Sequence, residues 1–530
     1  MNASTLLDRV LDSGRADAVA LITEEGDVSY RELASMVGAV AAQLDDLGVQ
    51  REQRVLMVLD DSPAFHAYFL GAMRIGAVPV PVNPMDRVDN HVYYLEDSYA
   101  KVVVIDESLA ESRDAMLAVR PDVHLLLDSA VGGSRAALQG AELQRTALGE
   151  AELPAPVDTH PDDMAFWLYS SGSTGRPKGV VHSHRDIDVT IENYARPVLR
   201  VAADDVCYST TKLFHAYGLG NGLSFPMSAG AAAVLVRGRP APDRILATVG
   251  SRHPTLFFSV PALYAAMARS PVAAETDFSS VRACVSAAEP LPAAVLHRWM
   301  DVTAVPILDG IGSTEMLHIY CSNTLDDLAP GTSGRPVPGY ELRVVDEAGR
   351  DVPAGEAGDM LVRGESCASL YWHQRAKTRR CMRGEWFYSG DRYIQTPEGR
   401  FVYQGRADDM IKVGGLWVSP ADVEACLTRH PSVTESAVIG IQVEDVSRIK
   451  AFVICSSPPA DADALADELR VWCKNNLRRY EYPHLVEFVD DFPRTATGKI
   501  QRFKLRESEQ ARADALVGVS AISHSASTPP

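Results

Sequence analysis

The sequence predicts an α/β protein of at least two domains, in which largely parallel sheets are covered by helices on both faces. Three observations support this fold class. From about residue 29, short apolar runs alternate with segments that have apolar residues at helical spacing. A chain of 530 residues is too long for one ordinary core. Between about residues 335 and 404 the pattern changes, which indicates a different kind of sheet.

The helices and strands of the first 310 residues can be placed in order. Residues 30–48, "YRELASMVGAVAAQLDDLG", have apolar residues at helical spacing and end at a glycine, and residues 63–76 form a second predicted helix. Uniformly apolar runs indicate strands that are buried on both faces, as in parallel sheets. The predicted strands are "RVLMVLD", "AVPVPV", "KVVVID", "DVHLLLD", "MAFWLYS", "AAAVLVRG", "TLFFSV", "RACVSA" and "VPILDG".

The last third of the chain divides into two further regions. Between about 335 and 404, short segments punctuated by glycine, such as "GDMLVRG" and "RFVYQG", predict antiparallel hairpins or a small barrel. After "GRADDMIKVGG" a second α/β region begins, with "VSPADVEACLTRH" as a helix and "SAVIGI" and "KAFVIC" as strands. We therefore predict domains of residues 1–407 and 408–515, followed by a disordered polar tail, 516–530.

Charge and cysteine usage exclude several classes of protein. The net charge of −19, from 51 basic and 70 acidic residues, argues against a nucleic-acid-binding protein but not against a small anionic ligand. The eight cysteines are scattered without a CxxC pair, which indicates reduced thiols in a cytoplasm. There is no signal-peptide pattern and no apolar run of membrane-spanning length. We therefore expect a cytoplasmic protein with no membrane partner, either a monomer or a homodimer.

The stretch "YSSGSTGRPKG", residues 169–179, follows directly on a predicted apolar strand. Glycines after a strand expose backbone amides that can converge on phosphate oxygens, and hydroxyls and a lysine add donors. The stretch differs from the common P-loop, because Lys178 is followed by Gly179 rather than by Ser or Thr. From composition alone, a phosphate-binding loop and a flexible surface linker both remain open.

Five motifs together resemble the adenylate-forming enzymes, which include acyl- and aryl-CoA ligases, luciferases and the adenylation domains of peptide synthetases. "SSGSTGRPKGVVHSH" resembles the family's phosphate-binding signature. The others follow in the family's order: "GIGSTE" (310–315), "WFYSGD" (386–391), "GRADDMIKVGG" (405–415) and "PRTATGK" (493–499). The resemblance covers nearly the whole chain. It implies a large N-terminal domain of two doubly covered sheets plus a small β-barrel, and a small mobile α+β C-terminal domain.

The resemblance also implies a reaction and its cofactors. A carboxylic acid is activated with ATP and Mg²⁺ as an acyl-adenylate with release of pyrophosphate, and is then transferred to coenzyme A. The residues implied to bind ATP are Ser171, Gly172, Ser173, Thr174, Gly175, Lys178, Ala288, Glu289, Pro290, Asp309, Gly310, Ile311, Gly312, Asp391 and Arg406. By the same pattern Thr314 contacts the α-phosphate and Glu315 binds the metal. Lys499 stabilises the adenylation transition state, in which charge builds on phosphate oxygens.

The C-terminal domain of the family rotates after adenylation. The resemblance places the hinge at Asp408 and the channel for the pantetheine arm of coenzyme A along Lys412, Gly414 and Gly415. Glycines suit a tunnel wall that a thin chain must pass closely. Hinge residues need not be glycine, so an aspartate is compatible with this role.

Two stretches, 212–227 and 309–320, are similar to benzoate-CoA ligases and related aryl-CoA ligases, which implies an aromatic acid as substrate. The residues that match the acid-binding pocket are Ala216, Tyr217, Phe225, Gly312, His318 and Ile319. A flat apolar slot with aromatic walls suits a benzene ring, although two aromatic residues eight apart are equally typical of core packing. The resemblance implies that His215 is one of the catalytic residues. It stands where phenylalanine is expected in benzoate-CoA ligases, although His is common there in other aryl- and acyl-CoA ligases, and near the ring edge it can donate to a polar substituent. Ala288 replaces an expected glycine, and Ile311 replaces an aromatic residue.

Three functional hypotheses remain side by side. The first is an aryl-CoA ligase. The second is a stand-alone adenylating enzyme that loads the phosphopantetheine of a separate carrier protein. The third is a non-catalytic nucleotide-binding homologue, which would be favoured by loss of Glu315, Asp391 or Lys499, all of which are present. We interpret His182 and His184 as structural residues, since they lack the other ligands that a metal site needs.

Overall fold

The computed structural model describes most of the chain. The residues described are 1–128, 144–145, 151–170, 176–407, 409–413, 416–443, 446–478, 480–494 and 500–512. They divide into two compact units: Met1–Arg343, Leu361–Ser389 and Glu398–Phe401 form the first, and Val344–Met360, Gly390–Pro397 and the described residues from Val402 onward form the second. The predicted boundary at 408 stays a prediction, and the predicted tail, 516–530, lies outside the described residues.

The strands are numbered in chain order. The first sixteen are β1 Val19–Ile22, β2 Asp27–Ser29, β3 Arg54–Val58, β4 Val78–Pro81, β5 Val102–Asp106, β6 His124–Asp128, β7 Gln144–Arg145, β8 Met164–Ser170, β9 Lys178–Ser183, β10 Val206–Ser209, β11 Ala232–Val234, β12 Leu256–Ser259, β13 Ala283–Ser286, β14 Ile307–Gly312, β15 Ile319–Ser322 and β16 Arg335–Pro336. The others are β17 Glu341–Val345, β18 Ala357–Arg363, β19 Leu370–Tyr371, β20 Met382–Arg383, β21 Trp386–Gln395, β22 Phe401–Arg406, β23 Ile411–Val413, β24 Leu416–Val418, β25 Val433–Val443, β26 Val446–Cys455 and β27 Leu485–Phe488.

The helices are numbered in the same way. They are α1 Thr5–Asp12, α2 Tyr30–Asp46, α3 Pro63–Arg74, α4 Val88–Ser98, α5 Ala110–Val119, α6 His184–Thr190, α7 Ala216–Leu219, α8 Phe225–Ala229, α9 Pro242–Arg252, α10 Pro261–Met267, α11 Ala293–Thr303, α12 Arg375–Cys381, α13 Pro420–Thr428 and α14 Ala462–Asn476. There are also two π-helical segments, Ile191–Leu199 and Gly220–Ser224, and two 3₁₀ turns, Pro271–Ala274 and Thr314–Met316. Residues 502–512 are helical as well.

Two sheets of the first unit are mainly parallel, which confirms the predicted fold class. One has the strand order β4-β3-β5-β6-β7, and all its neighbours are parallel. The other has the order β16-β15-β14-β13-β12-β10-β11-β1-β2, with antiparallel pairs only at its edges. Four consecutive residues of β3, Val55 to Val58, are buried. Because side chains alternate between the faces of a strand, both faces of this sheet are covered.

The strand predicted at "MAFWLYS" forms as β8, but it does not join a parallel sheet. It pairs antiparallel with β9, which pairs antiparallel with β19 in a three-stranded sheet. The sequence does not specify the partner of this strand; the segment between Ser170 and Lys178 is too short for the crossover that parallel strands require, so the pairing with β9 is antiparallel. The proposed phosphate loop therefore connects two adjacent strands.

Helix α2 illustrates how local sequence determines an element. The Ser29 hydroxyl accepts from Glu32 N at 3.2 Å and the Glu32 carboxylate accepts from Ser29 N at 2.7 Å, which forms a capping box. The helix is followed by Gly48, whose φ of +68° suits a glycine. In α3, a Cβ on Gly71 would lie 2.8 Å from a Val40 methyl carbon, so the glycine lets the two helices approach closely.

The change of pattern between 335 and 404 is confirmed as a run of short strands interrupted by one helix, α12. Strand β20 pairs antiparallel with β21. The division into units passes along the chain through β17, β18, β21 and β22. That this segment closes into a small barrel stays a prediction.

The second unit contains the C-terminal α+β region that the sequence predicts. Strand β26 pairs antiparallel with β25 and parallel with β27. Helices α13 and α14 pack on this sheet through buried side chains that include Val423, Leu427 and Leu469. Among the described residues of the whole chain, no helix is long and apolar enough to cross a bilayer.

Candidate active site

A lysine, a carboxylate and a phenol meet in the first unit. Lys178 begins β9, next to the segment 171–175, and its Nζ lies 2.7 Å from Glu315 Oε1. The Tyr371 hydroxyl donates to the same oxygen at 2.8 Å. Lys178 Nζ also lies 4.2 Å from the centroid of the Tyr371 ring. Tyr371 reaches this position because β19 pairs with β9. We call these three residues the Glu315 cluster.

The electrostatics of the Glu315 cluster keep its carboxylate charged. Burial raises the pKa of Glu315, but the charge of Lys178 and the hydrogen bonds from Lys178 and Tyr371 outweigh burial and hold that pKa below its ordinary value. Burial and the charge of Glu315 raise the pKa of Tyr371, so the phenol remains a donor. Lys377 lies nearby, with Nζ 5.7 Å from the Tyr371 ring, and burial together with Lys178 lowers its pKa.

The turn that carries Thr314 and Glu315 has a strained backbone. Leu317 adopts φ +64° and ψ −34°, a left-handed conformation that is rare for a bulky residue. The His318 N–H donates to Met316 O at 2.8 Å across this residue, so Met316 to His318 form a γ-turn with positive φ. Such a conformation costs energy and persists only where the surroundings determine it.

The surroundings hold the three carbonyl groups before Leu317. The bonds are His182 Nε2 to Thr314 O at 2.8 Å, Ala368 N to Glu315 O at 2.7 Å and Ser366 Oγ to Met316 O at 2.8 Å. Each donor comes from outside the turn, from β9 or from the segment before β19. The position of Thr314 and Glu315 is therefore set by tertiary contacts.

Aromatic rings surround His318, which lies three residues after Glu315. Its ring centroid is 4.5 Å from that of Phe225, 5.2 Å from that of Tyr194 and 5.5 Å from that of Tyr217. Burial lowers the pKa of His318 to about 3, so the ring is neutral at physiological pH. The Tyr217 hydroxyl donates to the carbonyl of Val285 at 3.0 Å. The structure thus brings together three of the predicted acid-binding residues in one apolar cluster.

The other predicted acid-binding residues lie beside these rings. Ala216 precedes Tyr217 in α7, and Ile319 follows His318 at the start of β15. A Cβ on Gly312 would lie 2.5 Å from His318 O, so a glycine is required where β14 passes this residue. A glycine also suits position 220, because a Cβ there would lie 2.5 Å from His318 Cδ2. His215 precedes α7, and its ring lies 4.4 Å from that of Phe214.

The predicted adenine-binding residues lie at the ends of two neighbouring strands. Asp309, Gly310 and Ile311 belong to β14, and Ala288 follows the parallel strand β13. Asp309 Oδ1 is buried without a hydrogen-bond partner among the described residues, and burial raises the pKa of Asp309 well above its ordinary value. Ala288 adopts φ +77°, a conformation that favours glycine, which is the residue that the family resemblance implies at this position. Glu289 and Pro290 continue the same loop.

Asp391 and Arg406, two of the predicted ATP-binding residues, lie in the second unit. Arg406 NH1 is 3.1 Å from Asp391 Oδ1, which joins β22 to β21. Gly390 has φ +74°, and a Cβ there would lie 2.8 Å from Arg406 NH2. The glycine of "WFYSGD" therefore makes room for the arginine that orients the carboxylate.

Comparison with known proteins identifies the family. The model of the AMP-binding enzyme family matches residues 9–372, and that of the AMP-binding enzyme C-terminal domain matches residues 422–499. This chain belongs to the AMP-binding enzyme family.

Similar proteins within this family cover nearly the whole chain. A benzoate–CoA ligase of Thauera aromatica is 45% identical over 96% of this chain and 95% of that protein. The crystal structure of a benzoate CoA ligase from Burkholderia xenovorans LB400 is 42% identical, with a TM-score of 0.86 over 96% of this chain and 100% of that one. The anthranilate CoA ligase AuaEII, in complex with anthranoyl-AMP, is 36% identical, with a TM-score of 0.91 over 97% and 98% of the two chains.

Several residues that the family pattern singles out lie outside the described residues. They are Ser171, Gly172, Ser173, Thr174, Gly175, Asp408, Gly414, Gly415 and Lys499. Lys412 lies in β23. The roles of all these residues stay predictions.

Three residues near the AMP-binding enzyme motifs were missed by the sequence analysis. Tyr371 and Lys377 belong to "YWHQRAKTRR", which contains several aromatic and several cationic residues. Nothing in the local sequence indicates which of them lies at the site. His182 was interpreted as structural, and its bond to Thr314 O places it against the candidate site. His184 does have a structural contact, since its Nδ1 accepts from Ala3 N at 3.1 Å.

Glu315 fits the Mg²⁺ ion that this family uses. Among the described residues no group of three or more His, Cys, Asp or Glu side chains could hold a metal. Magnesium, however, is commonly held by one or two carboxylates together with substrate phosphates. A buried carboxylate kept ionised by Lys178 is a hard oxygen ligand of this kind.

Proposed function

We propose that this chain is an ATP-dependent aryl-CoA ligase of the benzoate type. One observation carries the proposal. In the short segment from Gly312 to Ile319, Glu315 lies beside Lys178, and three residues later His318 lies among the aromatic rings. A charged cluster suited to MgATP and a buried cluster of aromatic rings are therefore neighbours along one strained turn.

The reaction has two halves. In the first, a carboxylate oxygen of the acid attacks the α-phosphorus of ATP, and the bond to the bridging oxygen breaks to release pyrophosphate. In the second, the thiol sulfur of coenzyme A attacks the acyl carbon, loses its proton, and displaces AMP. Charge develops on phosphate oxygens in the first half, so donors and cations aimed at those oxygens supply most of the acceleration.

The residues of this chain divide the work of adenylation. Lys178 and the amides of Ser171 to Gly175 bind the outer phosphates, and Thr314 contacts the α-phosphate. Glu315 holds Mg²⁺, which neutralises charge on the phosphate oxygens when it is bound. Asp391 and Arg406 bind the ribose, and Asp309 Oδ1, which is buried without a partner among the described residues, accepts from the adenine amino group. Lys499 reaches the carboxylate and the α-phosphate.

The substrate class follows from the ring cluster. Phe225, Tyr217 and His318 offer apolar and neutral aromatic surfaces, which favour a flat ring by burial. Two similar proteins bear the names of benzoate and anthranilate ligases, so both unsubstituted and aminated rings are candidates. His215, beside α7, is the donor that we assign to a hydroxyl or amino substituent.

The second half-reaction uses the C-terminal residues. We assign the hinge to Asp408 and the wall of the pantetheine channel to Lys412, Gly414 and Gly415. The acceptor is free coenzyme A in our proposal, and the phosphopantetheine of a separate carrier protein is the alternative. We place the enzyme in the cytoplasm, where the coenzyme A thiol and the eight free cysteines are kept reduced. A monomer or a homodimer satisfies this chemistry.

The test is pyrophosphate release by the purified protein with ATP, Mg²⁺ and a panel of acids, each with and without coenzyme A. The panel contains benzoate, its hydroxy, amino and halo derivatives, cinnamate, and short and medium fatty acids. We expect release with a benzoate-type acid and a thioester that depends on coenzyme A. Acid-dependent release without thioester would indicate a carrier protein. No release by folded protein that binds ATP would overturn the proposal in favour of a non-catalytic homologue.

A further inference from the structure

A buried histidine–aspartate pair, His182 and Asp186, lies next to the turn that carries Thr314. His182 Nδ1 lies 2.7 Å from Asp186 Oδ2, within hydrogen-bond distance, and His182 Nε2 donates to Thr314 O at 2.8 Å. The side chains of His182 and Asp186 are 0% and 2% exposed. The imidazole also stacks on Phe166, with centroids 5.2 Å apart and an interplanar angle of 19°. The ring is therefore held by contacts on an edge and a face.

The carboxylate that orients this ring is itself fixed. Asp186 Oδ1 accepts from Ser183 Oγ at 2.6 Å, and its Oδ2 accepts from Ser183 N at 3.1 Å, which is the capping box of α6. Thr314 O is a carbonyl oxygen that can only accept, so His182 Nε2 is the donor in the bond to the turn. A continuous chain of bonds thus runs from the start of α6 through His182 to the turn.

The bond to Thr314 O acts at a strained position. Thr314 O also accepts from Leu317 N at 3.1 Å, and Leu317 is the residue with φ +64°. Without the bond from His182, this carbonyl keeps only a bond within the turn itself. The turn can then relax toward an ordinary conformation, which shifts the neighbouring Thr314 hydroxyl and Glu315 carboxylate.

We propose that His182, oriented by Asp186, is a positioning residue for adenylation, which presents Thr314 and Glu315 to MgATP by holding Thr314 O. This inference rests on the proposed function, because it gives Thr314 and Glu315 their roles. It departs from the interpretation of His182 as a residue of the core alone.

Two substitutions separate the two bonds of the ring. The side-chain amide nitrogen of glutamine occupies a place similar to Nε2 of histidine, and that of asparagine a place similar to Nδ1. His182→Gln therefore keeps a donor for Thr314 O, whereas His182→Asn keeps a donor for Asp186 and loses the bond to the turn. A role in core stability predicts similar effects of both substitutions.

The readouts are the KM for MgATP and the rate of aryl-adenylate formation, compared with the rate of thioester formation from supplied aryl-adenylate and coenzyme A. For His182→Asn we expect adenylation to fall about 10- to 100-fold, as for loss of a buried hydrogen bond. We expect thioester formation from supplied adenylate to stay within about threefold. His182→Gln should recover most of the adenylation rate.

His184 provides the matched control. It is buried in the same segment, two residues from His182, and its contact is with Ala3 N rather than with the turn. His184→Asn should lower thermal stability without changing the KM for MgATP. Unfolding temperatures of all variants are measured alongside. If His182→Asn does not fold, Asp186→Asn weakens the anchor of the ring without removing its donor, and a raised KM for MgATP is expected.

The inference is overturned if His182→Asn and His182→Gln reduce both half-reactions equally, or if His182→Asn behaves like His184→Asn. If His182→Asn does not fold and Asp186→Asn is used instead, an unchanged KM for MgATP in Asp186→Asn overturns the inference. Failure of the proposed function has a different signature, because the unsubstituted protein would then release no pyrophosphate with any acid.

Discussion

Lys178 and Glu315 are 137 positions apart in the chain, and the lysine Nζ lies 2.7 Å from the glutamate Oε1. The contact joins the start of β9, beside the phosphate-loop motif, to the turn after β14. It holds the Glu315 carboxylate ionised although the residue is buried. In the proposed function Lys178 binds phosphate and Glu315 binds magnesium, so this contact holds both side chains in place before MgATP enters.

Substitutions at two residues of the Glu315 cluster should lower the rate of adenylation to different extents. Glu315→Gln removes the charged metal ligand, so adenylation should fall by about 100-fold or more. Tyr371→Phe removes one hydrogen bond to a charged group, so a decrease of about 10-fold is expected. The measurement is pyrophosphate release at varied Mg²⁺ concentration. Tyr30→Phe, which also removes a buried hydroxyl donor, is the control and should leave the kinetics unchanged. A Tyr371→Phe enzyme with unaltered kinetics would contradict the role of the phenol.

Lys499→Ala should affect the two half-reactions differently. Its assigned contacts are made only during adenylation, so that half should fall by about 100-fold or more while thioester formation from supplied aryl-adenylate changes little. Lys504→Ala, an exposed lysine five positions further on, is the control. Equal losses in both halves, with the fold intact, would show that Lys499 has another role.

His215→Phe should narrow the range of acids. Removal of a ring donor leaves a hydroxyl or amino substituent without a partner, so kcat/KM for hydroxy- and aminobenzoates should fall about 10-fold or more relative to benzoate. The ratio of kcat/KM values for each acid pair is the measurement. A ratio that stays the same would assign the recognition of substituents to other residues.

Stability should decrease on acidification because three histidines are buried in neutral form. Burial lowers the pKa of His318 to about 3, and those of His66 and His184 to about 4, from 6.5. Below pH 6.5 these histidines bind protons in the unfolded chain but stay neutral in the folded chain. The free energy of unfolding therefore falls as the pH drops from 6.5 toward these values. Each of these histidines should lower the free energy of unfolding by about 2 kcal/mol between pH 7 and pH 5.

This linkage can be checked with one variant. His318→Gln removes a titrating ring, so the decrease in free energy of unfolding between pH 7 and pH 5 should shrink by about 2 kcal/mol. Denaturant unfolding at both pH values measures it. An equal decrease in the variant and the unsubstituted protein would show that His318 does not contribute.

Ala288→Gly should stabilise the protein. Ala288 has φ +77°, where alanine is strained and glycine is not. We expect a gain of about 0.5–1 kcal/mol in the free energy of unfolding. Ala42→Gly, at an exposed position within α2, is the control and should cost roughly 1 kcal/mol. A loss of stability in Ala288→Gly would mean that contacts of the methyl group outweigh the strain.

Local elements of this protein were predictable from the sequence. The run "MAFWLYS" corresponds to Met164–Ser170, and the helix predicted from residue 63 begins at Pro63. These predictions succeed because periodicity, caps and turn residues act within a few positions of the chain. The pairing of β8 with β9 could not be read in the same way, because an apolar run does not specify its partner strand.

The motifs identified the chemistry, and the tertiary structure decided how its residues meet. Thr314, Glu315 and Lys178 are recognisable in sequence because the family keeps their local patterns. Tyr371 and His182 have no such pattern, and they reach Glu315 and Thr314 only because β19, β9 and the turn after β14 pack together. The sequence by itself thus determined the local elements, and it predicted the reacting groups through the family motifs. Packing over more than a hundred residues of chain decided which neighbours hold those groups in place, since a hydrogen bond depends on distance in space and not on separation along the chain.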